Sequence, residues 1–134
     1  MTSTDKEREM LNHFAAAVLA NGALLLLLAL NVSRVRIQEK IAYGDGDNKR
    51  MKAAIRAHAN GIEQVPLFLL LVLALEILGF NGLWLTGLVV AFTLSRVLHA
   101  HGMLASNFMT RRVGATVTYL AQALGLILLA VVAL

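Results

Sequence analysis

Cysteine is absent from this chain of 134 residues. That excludes disulfides, a thiolate metal site and a cysteine nucleophile. Charge is scarce as well: only 15% of the residues are Asp, Glu, Lys or Arg, against about 25% in ordinary soluble domains. Low-complexity tails, linkers and internal repeats are missing. The acidic side is the poorer one, with 8 Asp and Glu against 12 Lys and Arg. The resulting net charge of +4 needs no nucleic acid to explain it, because basic segments beside membrane helices attract anionic lipid. No nucleic-acid partner is expected. His99 and His101 lie two apart and cannot share a helix face, so no metal pair is expected either.

What the chain has is apolar mass. It is 58% hydrophobic with a mean hydropathy of +0.71. The excess is concentrated in four runs, Phe14–Leu30, Val65–Phe80, Leu83–Leu94 with its continuation to Leu98, and Val113–Leu134. A helix crosses the hydrocarbon core with about 20 residues, and only helices or closed barrels satisfy every backbone group inside lipid. The second and third runs are parted only by Asn81-Gly82, which reads as a tight helical hairpin. The first run is long and lacks a small-x-small cleavage site followed by a soluble domain, so it reads as a retained span. The expectation is an all-α integral membrane protein with one domain over 1–134. Its helices are placed at about 10–36, 48–79, 82–105 and 111–133, with a loop at about 37–47.

The basic residues have a side. Arg34, Arg36, Lys40, Lys49, Arg50, Lys52 and Arg56 fall between the first two runs, and Arg111 and Arg112 between the last two. The hairpin and the C-terminal end have none. The positive-inside rule then places both basic connections in the cytoplasm and both termini outside.

Polar side chains therefore gather at one end of the bundle. Arg56, Asn60 and Glu63 are spaced i, i+4, i+7 and share one helical stripe, which Lys49 and Lys52 extend backwards. A cation, an amide and a carboxylate are costly beside lipid, so this stripe is read as facing protein or ligand. The ends bearing Arg34 and Arg36, Arg56 to Glu63, His99, and Arg111 with Arg112 would form a cationic pocket with one carboxylate, Glu63. Such a pocket suits a small ligand with several carboxylates and one ammonium, because the arginine fork binds both carboxylate oxygens.

Elsewhere, Asp45 and Asp47 read as a turn with a helix cap at Asp47 or Asn48. Glu76 is expected to snorkel or pair near the outer end of the second helix, and Asn21 to form an interhelical hydrogen bond.

The Arg-x-Arg at Arg34 and Arg36, the Arg-Ala-His-x-Asn-x-x-Glu at Arg56 to Glu63, Pro66, Arg96-Val-x-His99 and the basic pair opening the last helix together form a pattern. It resembles the family of membrane-associated proteins in eicosanoid and glutathione metabolism (MAPEG), and in length its small bacterial branch. The resemblance implies a homotrimer of four-helix subunits in the bilayer, with glutathione bound between neighbours near the cytoplasmic face. It implies that Arg34, Arg36, Arg56, Asn60 and Glu63 hold the tripeptide, Glu63 taking its ammonium, and that His99 and either Asp45 or Asp47 contribute. Arg112 or Arg111 would face the sulfur. Arg112 shares its stripe with Thr116 and Tyr119, and Arg111 shares the next one with Ala115, Thr118 and Gln122. We assign the sulfur to Arg112 over Arg111, with Tyr119 as a further contact. The implied activity is a glutathione transferase or peroxidase acting on hydrophobic small-molecule co-substrates. Ala59 and Met103 stand where relatives often carry an arginine and a tyrosine, which keeps a non-catalytic binding or scaffold protein in play. A four-helix exporter of cationic compounds is the remaining alternative, disfavoured by a cationic cluster.

Overall fold

The computed structural model describes residues 11–134. Four α-helices follow one another: α1 (Asn12–Glu39), α2 (Lys49–Ile77), α3 (Leu83–Leu104) and α4 (Phe108–Ala133). Each is long and apolar enough to cross a membrane. The chain is an all-α integral membrane bundle. The expected start of the first helix near residue 10 lies outside the described residues.

Local chemistry sets the ends. α1 runs to Glu39 and closes on Lys40 in the left-handed region, where Ile41 N–H bonds back to the Arg36 carbonyl at 3.0 Å. Asn48 caps α2 by accepting from Met51 N–H at 2.9 Å, and Asn107 caps α4 by accepting from Thr110 N–H at 3.2 Å. This second cap starts α4 at Phe108, three residues before the position suggested by the basic pair. The hairpin between α2 and α3 turns on Gly79 and Gly82, at φ 82° and 90°.

The core joins α2, α3 and α4 through Phe68 stacked on Phe92, with ring centroids 3.7 Å apart, and through Val65, Val72, Leu75, Leu85, Leu88 and Ala121. Leucines such as Leu19, Leu27 and Leu70 stay exposed, as lipid-facing residues do. Small residues let backbones approach closely. A Cβ on Gly114 would sit 2.6 Å from His99 N, and one on Gly102 would sit 2.3 Å from Arg111 N. These two glycines form the α3–α4 seam.

Polar ties fix α1 against its neighbours. Asn21 is buried and donates to Thr93 Oγ1 at 2.9 Å, the interhelical bond expected of it. Glu76 does not snorkel. It is fully buried and accepts the N–H groups of His13 and Phe14, each at 2.9 Å, so a carboxylate from α2 caps the first turn of α1. His13 Nδ1 lies 2.8 Å from the same carboxylate, and its Nε2 lies 2.9 Å from Thr86 Oγ1.

Candidate functional site

The opposite end of the bundle holds a cavity of about 610 Å³. The first turns of α2 supply Lys49, Lys52, Ala53, Arg56 and Asn60, at the helical spacing that the stripe predicts. α3 adds His99 and Met103, the short connection adds Ser106, and α4 adds Phe108 and Arg111. Four of these side chains are cations, and among the described residues no carboxylate lines the wall. The volume falls within the range of about 300–1,000 Å³ usual for small-molecule sites.

Arg96 organises the inner wall. It is 1% exposed, its Nη2 donates to Asn60 Oδ1 at 2.7 Å, and its Nη1 donates to Thr118 Oγ1 at 3.3 Å. Thr118 Oγ1 also lies 2.9 Å from Ser95 Oγ and donates to the Gly114 carbonyl at 2.8 Å. Asn60 is thus held from behind by a buried guanidinium. Arg96 Nε has no hydrogen-bond partner among the described residues. Sequence reasoning saw Arg96 only as part of a motif. A cation on the same face as His99, one turn earlier and inside an apolar run, was the available signal.

His99 is buried, and its Nδ1 lies 2.9 Å from the Arg111 carbonyl oxygen. A carbonyl only accepts, so Nδ1 carries the hydrogen. The Arg111 guanidinium lies over the Phe108 ring, 5.6 Å from its centre, which steadies a long side chain at the cavity rim.

Of the residues expected to form the site, the structure brings Arg56, Asn60, His99 and Arg111 together. Arg36 lies apart: its Nη1 donates to the carbonyls of Ile41, Ala42 and Gly44 at 3.1–3.4 Å and so shapes the loop after α1. Asp45 lines a neighbouring cavity with Lys52 and Arg56, and sits 3.5 Å from Lys52 Nζ. The Asp47 N–H, above all, holds the Asp45 carboxyl below its ordinary range, with Lys52 adding to the effect. Its charge therefore persists through neutral pH and is lost only as pH falls through that lowered value. Arg34, Glu63, Arg112 and Tyr119 are exposed and do not line the cavity. Lys49, Lys52, Ser106 and Phe108 join it instead. Three or more potential ligands for a metal ion do not cluster anywhere among the described residues.

Four spanning helices with a cation-lined cavity at one end define a polytopic membrane protein. The MAPEG family matches residues 14–131, and the chain belongs to that family. It is 32% identical over 99 residues to "Inner membrane protein YecN" of Escherichia coli strain K12, a stretch covering 73% of this chain and 75% of the relative. The protein of the same name from Escherichia coli O6:H1 matches to the same extent.

Proposed function

We propose that this chain binds glutathione in the cationic cavity and transfers it to hydrophobic electrophiles, or uses it to reduce hydroperoxides, in the bacterial inner membrane. The observation that carries the reading is a wall with Lys49, Lys52, Arg56 and Arg111 and, among the described residues, no carboxylate, in a member of this family. Glutathione offers two carboxylates to those cations, and Asn60, fixed by Arg96, offers an amide to its peptide groups. The thiol has an ordinary pKa of about 8.5, and a nearby guanidinium favours the thiolate, the nucleophilic form. Arg111, at the rim, is the guanidinium that this geometry favours for the role. The apolar co-substrate enters from the bilayer.

The cavity of one subunit lacks a partner for the ligand ammonium. Glu63, Arg34 and Tyr119 lie exposed, where a neighbouring subunit of a homotrimer would meet them. This supports a site shared between subunits, with Glu63 taking the ammonium. The basic connections face the cytoplasm and both termini face outward, as the distribution of lysine and arginine favours. The exporter reading loses support: its required deep carboxylate is represented by Glu76, which is engaged in capping α1.

Calorimetry of glutathione binding to the detergent-purified trimer tests the proposal, alongside Arg56→Ala and Arg111→Ala. Binding by the parent with loss in both variants supports it. Absence of binding by the parent refutes it. Binding without turnover leaves the scaffold reading in its place.

A further inference from the structure

We infer that His99 Nε2 is the base that takes the thiol proton, an inference that rests on the glutathione reading and assigns its proton transfer to a named atom. The Arg111 carbonyl oxygen, 2.9 Å from Nδ1, can only accept, so the ring hydrogen is fixed on Nδ1. In the neutral ring Nε2 then carries a lone pair. It has no hydrogen-bond partner among the described residues, and His99 stands in the cavity wall. A histidine whose far nitrogen is pinned by an acceptor, leaving the near one free, is the arrangement that general-base catalysis needs.

The ring is also held in place. Gly114 approaches the His99 backbone so closely that a Cβ there would lie 2.6–2.8 Å from His99 N, Cα and Cβ. His99 is buried and stands in the cavity wall. Among the described residues the charged groups around it are cations: Arg96 on its own helix, Arg111 on α4, and Lys49, Lys52 and Arg56 on α2. Asp45 sits in the loop and engages Lys52. Arginine stabilises a thiolate once formed but accepts no proton. Among the lining residues only His99 offers a neutral nitrogen base near neutral pH.

The step balances without another reagent. The thiol proton passes to Nε2 while the S–H electron pair stays on sulfur. The thiolate forms a C–S bond to the β-carbon of an activated alkene, and the π pair shifts toward the α-carbon. The imidazolium returns its proton there, so S–H has added across C=C and the histidine is restored. Activated alkenes are therefore the co-substrate class this base serves best, since they need the proton back.

The test uses full-length protein in lipid nanodiscs, glutathione and the unsaturated ketone 4-phenyl-3-buten-2-one. His99→Asn places an amide N–H where Nδ1 donates but supplies no base. His99→Gln serves as a second variant. S-methylglutathione, which has no thiol proton, reports binding separately. The expected result is S-methylglutathione affinity within about threefold of the parent, with turnover at neutral pH lower by about 100-fold or more. That deficit should shrink as pH rises past the free thiol's own ionisation near 8.5, and added imidazole should restore part of the rate. Parent-like turnover with an unchanged pH profile overturns the inference, as does loss of S-methylglutathione affinity in both variants, which would make His99 a binding residue. A parent that fails to bind S-methylglutathione refutes the glutathione reading itself.

Discussion

Gly114→Ala tests whether fold and site depend on one seam. A methyl group at Gly114 would lie 2.6 Å from His99 N and 2.8 Å from both Cα and Cβ. None of these atoms is the far end of a flexible chain, so α3 and α4 must separate. Overpacking of this kind costs about 1–3 kcal/mol, and contact with backbone favours the upper part of that range. Replacing a mid-helix glycine by alanine returns about 1 kcal/mol of helix propensity. The net expectation is a loss of about 1–2 kcal/mol in stability, the difference between those two figures. Gly22→Ala is the matched control, because its Cβ would meet nothing within 4 Å and only the propensity gain applies. Thermal unfolding of both variants in one detergent gives the comparison. Glutathione titration of Gly114→Ala should also show weaker binding, since Arg111, on the same helix as Gly114, moves with the seam. Equal midpoints for the two variants would refute the close α3–α4 approach. A destabilised Gly114→Ala with parent-like binding would uncouple the seam from the site.

Arg56→Ala and Arg111→Ala should each weaken glutathione binding by about 1–3 kcal/mol by calorimetry, with a smaller effect for Lys49→Ala at the solvated rim. Arg111→Ala should raise the bound thiol's pKa by about one unit or more, read from thiolate absorbance against pH, and Arg112→Ala should leave it nearly unchanged; the reverse result would return the sulfur to Arg112. Glu76→Gln keeps the side-chain shape but removes the charge that caps α1, so the thermal midpoint should fall by an amount equivalent to about 1–3 kcal/mol while glutathione binding stays the same. Native mass measurement should give a trimer, and a stable monomer that still bound glutathione tightly would exclude a shared site.

The helices were legible because a bilayer leaves so little choice. Runs such as Phe14–Leu30 and Val65–Phe80 have one acceptable backbone state in lipid. The Arg56–Asn60–Glu63 stripe was legible in part, since helical spacing fixes which residues share a face: Arg56 and Asn60 line the cavity, whereas Glu63 is exposed. The register of α4 was harder. Thr116 and Tyr119 suggested a polar face around Arg112, yet both are exposed, while Thr118 and Gln122, on the stripe with Arg111, are buried. Hydroxyls on a membrane helix satisfy themselves on the preceding turn, as Thr118 does on Gly114, so they are weak guides to a ligand face. For Glu76 a pairing was legible but its partners were not, because His13 and Phe14 lie more than sixty residues away. The cap exists only once α1 and α2 are packed.

Arg96 shows how the buried and exposed halves of the pocket depend on each other. A guanidinium enclosed by three helices without a carboxylate is expensive, and its two neutral acceptors recover only part of the lost hydration. Replacing it with an apolar side chain would relieve that cost but strand Asn60, whose Oδ1 would lose its donor. The same cation ties α2 to α4 through Asn60 and Thr118, at the level where the apolar core gives way to the cavity. Its charge also adds to the rim of Lys49, Lys52, Arg56 and Arg111 from the inside, where water screens it least. An acidic ligand entering the cavity thus meets a positive field from both the lysine-rich mouth and the buried floor. Full binding of an acid releases part of the cost of keeping Arg96 buried, so ligand and bundle should stabilise each other: saturating glutathione should raise the unfolding midpoint of the parent more than that of Arg96→Met. An equal rise in both would show that the buried charge does not act on the ligand.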